Sequence, residues 1–262
     1  RMFKLDSYNA ESNTYSYTVE PAWKPFFQDG VAGSEYITLD RQNHPTWNAA
    51  KSQDSDKADF AKLALKWATE NKVSAAAESQ TSTGSDVIFS HLDLGYYLVD
   101  SSLGALCGLN TTNPDVTITE KNGQPTIEKQ VKNGDTWGTT NDAKIGDTVE
   151  YKVEIKVADG AQKYTVTDTM SKGLTFNNSS LKVTANGAQT TNYTLTPTEN
   201  GFTLELPESY VSNLTKGTVI LVTYNATLNK KAVIDGDGNT NKVTLSYGNH
   251  QNTVPSKVTT KS

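Results

Sequence analysis

Beyond residue 121, one segment after another alternates apolar and polar side chains with a period of two. Only a sheet packed on one face satisfies such a pattern repeatedly. Val149, Tyr151, Val153, Ile155 and Val157 alternate with polar or charged neighbours, as do Phe202, Leu204 and Leu206. The same holds, Leu221 apart, for Ile220, Val222, Tyr224, Ala226 and Leu228, and for Val243, Leu245 and Tyr247. Turn-forming clusters separate the runs: Asn186-Gly187, Glu199-Asn200-Gly201, Lys216-Gly217 and Asp235-Gly236-Asp237-Gly238-Asn239. Many short strands at this spacing predict an antiparallel immunoglobulin-like β-sandwich over residues 123–254.

The first part of the chain is more mixed. Strand-like runs fall at residues 2–8, 14–19, 34–39, 86–90 and 95–100. One helix is predicted near 56–71, capped by Ser55 or Asp56, with Phe60, Leu63, Ala64, Trp67 and Ala68 on one face and Asn71 at its end. Trp23, Phe26, Phe27 and Trp47 are expected in a core rather than along a groove. The fold class is therefore mainly β: two tandem immunoglobulin-like β-sandwiches, the first with a helical insertion. The domains are expected at 1–121 and 122–262.

Charge and composition exclude several functions. The net charge is −5, which disfavours a nucleic-acid binder. The single cysteine, Cys107, leaves no intrachain disulfide, and His44, His91 and His250 are scattered with no ligand spacing. The Asp235–Asn239 turn resembles half of a calcium loop, but Thr240 and Ser246 stand where such a loop needs glycine and glutamate. No metal and no cofactor is expected, and no enzyme motif is present. The chain opens directly in a strand-like run, Met2-Phe3-Lys4-Leu5, which suggests a fragment of a longer protein.

Polar residues on the apolar faces of the second domain carry the chemistry. Lys129 shares a face with Ile127 and Val131, and Asp168 with Tyr164 and Val166. Asn241 shares a face with Val243, Leu245 and Tyr247 on what reads as the final strand, whereas Asn239 falls in the Gly-rich turn. Isolated buried charges are costly, so the three are expected to interact. One outcome is a buried Lys–Asp ion pair with a hydrogen-bonded asparagine. The other is reaction. Burial lowers a lysine pKa and raises an aspartate pKa, so one proton transfer neutralises both. Neutral Lys129 is then a nucleophile, and protonated Asp168 can polarise the Asn241 carboxamide and shuttle protons as ammonia leaves.

Several stretches resemble one family. Pro125-Thr126-Ile127-Glu128-Lys129 and Ile145-Gly146-Asp147-Thr148-Val149-Glu150-Tyr151 resemble the opening strands of an intramolecular-isopeptide domain. Tyr164-x-Val166-x-Asp168-Thr169-Met170, then Lys172-Gly173-Leu174-Thr175-Phe176, resembles its aspartate strand, and Asn241-Lys242-Val243-Thr244-Leu245-Ser246-Tyr247 its asparagine strand. In the first domain, Leu94-Gly95-Tyr96-Tyr97-Leu98-Val99 resembles a late strand of a pilin N-terminal domain. Together these resemble the sortase-assembled backbone (major) pilins of Gram-positive bacteria, with the spacing of the collagen-adhesin type A domain.

The resemblance implies a structural shaft subunit of a cell-wall-anchored, extracellular fimbria. It implies an autocatalytic Lys129–Asn241 isopeptide bond with Asp168 as its catalytic acid, made once, so the chain is not a turnover enzyme. Its partners would be identical subunits in a covalent polymer and a pilin sortase. The alternative is a surface adhesin or ligand-binding module that takes a host surface ligand on the same scaffold. The family joins subunits through a lysine in Tyr-Pro-Lys-Asn at the end of a Val-rich strand. Here Val116-Thr117-Ile118-Thr119-Glu120-Lys121-Asn122 keeps Lys and Asn but replaces Tyr-Pro, and it makes Lys121 the expected sortase linkage.

Overall fold

A computed structural model describes residues 1–83, 86–108, 117–250 and 252–262. The chain divides into two units, Arg1–Glu120 and Lys121–Ser262. The first unit contains strands β1 (Phe3–Asn9), β2 (Thr14–Val19), β3 (Ile37–Leu39) and β4 (Pro45–Trp47), helix α1 (Asp54–Glu70), and strands β5 (Gly95–Asp100) and β6 (Ala105–Gly108). Its main sheet has the order β2-β1-β5-β6, and β3-β4 forms a separate ribbon. Phe26 is fully buried, with the rings of Phe27, Trp67, Trp23 and Phe60 at 5.0 to 6.0 Å. Phe60, Ala64 and Ala68 from α1 close this core with Phe3 from β1.

Three local expectations are corrected in this unit. The cap of α1 is Gln53, and Asp56 sits inside the first turn, where its carboxylate accepts from the Gln53 N–H at 3.0 Å. Only Ile37–Leu39 of the 34–39 run is a strand, because Ala32–Glu35 coils into a 3₁₀ turn. Residues 86–90 form no strand, and Ile88 is 71% exposed. Val87-Ile88-Phe89 is a continuous apolar triplet, without the alternation that assigns one face to a core.

Among the described residues, the regular structure of the second unit is β-strand apart from the short helix α2 (Glu208–Val211). Its strands are β7 (Thr126–Asn133), β8 (Thr136–Gly138), β9 (Thr140–Asp142), β10 (Thr148–Lys156), β11 (Tyr164–Met170) and β12 (Leu174–Ala185). They continue with β13 (Ala188–Thr190), β14 (Thr194–Thr198), β15 (Gly201–Leu206), β16 (Val219–Leu228), β17 (Asn239–Tyr247) and β18 (Asn252–Lys261). Two six-stranded sheets result, ordered β13-β12-β16-β10-β7-β8 and β14-β15-β11-β17-β18-β9. The Asn186-Gly187 turn between β12 and β13 has φ of +46° and +83°, the left-handed pair that a two-residue hairpin demands. Val153, Ile155, Val222 and Ile220 from one sheet and Val166, Leu204, Val243 and Leu245 from the other are fully buried between the layers.

The strand bearing Asn241 is not the last. β18 follows it, pairs antiparallel with β17, and pairs parallel with β9 through Thr259, Thr260 and Lys261. The sequence hides this strand because its inward positions, Val254, Ser256, Val258 and Thr260, mix apolar with hydroxyl residues. Pro255 also reads as a strand breaker, but at that position β18 is paired in a ladder only with β17. Asn239 is likewise corrected: it opens β17 and is 1% exposed, rather than lying in the turn.

Candidate functional site

Lys129 lies on β7, opposite Val153 of β10, with its side chain fully enclosed. Asp168 lies on β11 in the facing sheet, opposite Val243 of β17, while Asn241 pairs with Met170. The inward side chains of Asp168 and Asn241 are therefore diagonal neighbours on one face. On the other side of β11, β15 approaches Asp168 closely. Gly201 has φ of +138°, and a Cβ there would stand 2.2 Å from the Asp168 carbonyl oxygen.

Lys129 Nζ donates to Asp168 Oδ2 and to the Tyr224 hydroxyl, and that hydroxyl donates to the same Oδ2. The amine also lies 5.1 Å and 4.9 Å from the ring centroids of Tyr151 and Tyr224. Phe202 closes on Tyr224 edge-on at 4.9 Å, and Phe176 closes on it at 5.9 Å. Asn241 is fully buried and biases the ionisation of Asp168, Tyr151 and Tyr224. Yet neither its Nδ2 nor its Oδ1 makes a hydrogen bond, and Asp168 Oδ1 makes none either.

Such atoms are costly to bury unpaired. Burial pushes the Lys129 ammonium down to about 8, with Asp168 opposing the shift. It pushes the Asp168 carboxyl up, with Lys129 and Tyr224 opposing. It also raises Tyr151 to about 12 and Tyr224 well above the ordinary phenol value. Both members of the ion pair are therefore displaced toward their neutral forms, the direction that makes an amine nucleophilic and a carboxyl a proton donor. The tyrosines are the part of the site that sequence parity missed. Their signal was present: a phenol on an apolar strand face must find a polar partner once buried.

Lys121 is exposed and lies in an irregular segment, and residues 117–125 hold no strand. Val116, expected on the strand that leads to it, lies outside the described residues. Just after Lys121, the Gly123 N–H donates to the Asp159 carbonyl at 2.9 Å. At the other end of the unit, the Asn239 carboxamide accepts from the Val233 N–H at 2.9 Å and donates to the Val233 and Thr260 carbonyls. Its oxygen thus closes the loop before β17.

Residues 145–251 match the family described as Gram-positive pilin backbone subunit 2, Cna-B-like domain. That span holds Asp168, Tyr224 and Asn241, and Lys129 precedes it. The description is Cna-B-like, where the residue spacing had suggested type A. A comparison with curated protein sequences finds no match. Among solved structures, the chain is 28% identical to the pilus backbone protein RrgB of Streptococcus pneumoniae, over 48% of this chain and 53% of that one, with a TM-score of 0.43. The T6 backbone pilin of serotype M6 Streptococcus pyogenes is 16% identical over 86% of this chain and 59% of its own, with a TM-score of 0.52, and bears on the fold. The chain spans about half the length of the first of these relatives. The match over residues 145–251 lies wholly within the second unit and makes that part of the chain similar to the Gram-positive backbone pilins.

Proposed function

We propose that this chain is part of a structural shaft subunit of a Gram-positive pilus, and that its second unit locks itself with an amide between Lys129 and Asn241. The observation that supports this reading is the enclosure of an amine, a carboxyl and a carboxamide together, with the carboxamide spent on no hydrogen bond. The reaction balances without a cofactor. Lys129 Nζ gives a proton to Asp168, and the neutral amine attacks Asn241 Cγ. Protonated Asp168 polarises the carboxamide oxygen as negative charge develops there. The Cγ–Nδ2 bond breaks, Nδ2 takes one proton, passed from Lys129 Nζ through Asp168, and leaves as ammonia, and Asp168 keeps the other proton and ends as the neutral acid. The reactants are consumed, so the event occurs once per chain. Burial favours the step by excluding water and by bringing the ion pair toward neutrality.

The description of the matching family as a pilin backbone subunit supports association of such subunits with one another in a pilus. We assign the joining amine to Lys121. It is exposed, as an enzyme-presented thioester requires, and the Lys-Asn pair at 121–122 matches the family motif. In this reading a sortase supplies the thioester and the fimbria is anchored to the cell wall. The test is intact mass under denaturing conditions. One missing ammonia, with a peptide joining Lys129 to Asn241, is expected, and the full sequence mass refutes the cross-link.

A further inference from the structure

The Tyr224 hydroxyl stands between both partners of the ion pair. It accepts from Lys129 Nζ and commits its single proton to Asp168 Oδ2. Oδ2 thus carries two donors, one from Lys129 and one from Tyr224, while Oδ1 carries none. The two polar atoms of the Asn241 carboxamide are equally unpartnered, one strand away on the same face. The carboxyl group is therefore divided: one oxygen is held at the lysine and the other is left for the asparagine.

We infer that Tyr224 is a positioning residue for the cross-linking reaction, fixing Asp168 so that Oδ2 faces the amine and Oδ1 is free for Asn241. This rests on the reaction proposed above. The ring of Tyr224 is held independently of its hydroxyl, stacked on Tyr151 at 5.5 Å and edge-on to Phe202 and Phe176. Tyr224→Phe therefore keeps the packing and removes only the two hydrogen bonds. Without them the carboxyl can rotate and the amine loses one of its two anchors.

A second effect distinguishes positioning from packing. The phenol donates to the charged form of Asp168 and so favours the carboxylate, and only the carboxylate can take the lysine proton. Removing the donor raises the Asp168 pKa, so the acid limb of the rate against pH moves to higher pH. The ionisable groups facing Asp168 are Lys129 from β7, Tyr151 from β10 and Tyr224 from β16. The neutral Asn241 from β17 and Phe202 from β15 complete its surroundings.

The full chain is made by cell-free synthesis, translation is stopped, and ammonia loss is followed by intact mass across the pH range. Tyr224→Phe should close the bond about tenfold more slowly, the worth of one hydrogen bond to an ionised group, with its acid limb displaced upward. Phe176→Leu, which trims the same ring's packing and touches no polar atom, should leave the limb in place. If Tyr224→Phe does not fold, 3-fluorotyrosine inserted at 224 keeps the ring and donates more strongly, and the limb should move down. Wild type that loses no ammonia overturns the proposed reaction itself. Wild type that reacts, beside a variant or analogue with unchanged rate and limb, overturns the role of Tyr224 alone.

Discussion

Replacing Asp168 by alanine and, separately, Asn241 by alanine divides the worth of the site into two parts. In the proposed reaction neither variant can close the amide, so both should lose its contribution. A covalent loop of about 110 residues restricts the unfolded chain by on the order of 5 kcal/mol in the loop-closure account. Asn241→Ala keeps the Lys129–Asp168 pair and removes a carboxamide that had no partner. Asp168→Ala strands the Lys129 ammonium in a fully enclosed site, at a further cost of about 3–5 kcal/mol.

The two variants should also differ in pH dependence. Burial alone sets the Lys129 pKa in Asp168→Ala, so it falls below the value of about 8 that Asp168 helps to maintain. The unfolded lysine keeps its ordinary value and binds more protons than the folded one across the window between them. Stability therefore rises with pH there, by up to about 1.4 kcal/mol per unit. Between the depressed value and about 8, Asp168→Ala should gain stability while the Lys129 contribution in Asn241→Ala stays flat. Above that both should gain together. Denaturant titrations at pH 6 and pH 8, read from methyl NMR signals of Val153 and Val222, report the second unit. Equal stabilities at pH 6, or parallel behaviour between the two pH values, would refute the stranded-charge argument. Ammonia loss by Asp168→Ala would show that another group carries the proton.

Two further outcomes follow from the backbone. Gly201→Ala places a methyl against the Asp168 carbonyl at a φ unsuited to alanine, so it should cost about 1–3 kcal/mol and slow ammonia loss, both measurable on one preparation. Lys121→Arg keeps the charge but cannot form the amide. Co-expression of the full-length protein with its cognate sortase should then give no ladder of covalent polymers on a denaturing gel, and an unchanged ladder moves the linkage to another lysine.

The inward placement of Lys129, Asp168 and Asn241 can be read from the sequence because each interrupts an otherwise apolar parity, and a charge so placed must meet a polar partner within the core. Tyr224 and Tyr151 escape the same reading because tyrosine satisfies the alternation as an apolar residue and reveals its hydroxyl only when its surroundings are known. Asn239 was obscured by the glycines before it, and β18 by hydroxyl residues that lie inward without being apolar. The aromatic character of the first core was legible in Phe26, Phe27 and Phe60. The exposed run at Val87–Phe89 was not, since three consecutive apolar residues specify no face.

The position of β18 changes how the second unit would carry tension. With the amide closed, every residue between Lys129 and Asn241 belongs to a covalent ring, and a load passing from β7 into β17 bypasses it. β18 lies outside that ring. It holds by its ladder to β17, by three parallel pairings to β9 at its far end, and by the Ser256 hydroxyl, which accepts from the Lys129 N–H of β7 at 2.9 Å. The 10 residues of β18, spanning about 35 Å when drawn straight, can therefore be drawn out before force reaches β17 and the amide. The unit then behaves as a short spring in series with an inextensible link: small pulls strip and re-form one strand, and the interior stays folded throughout.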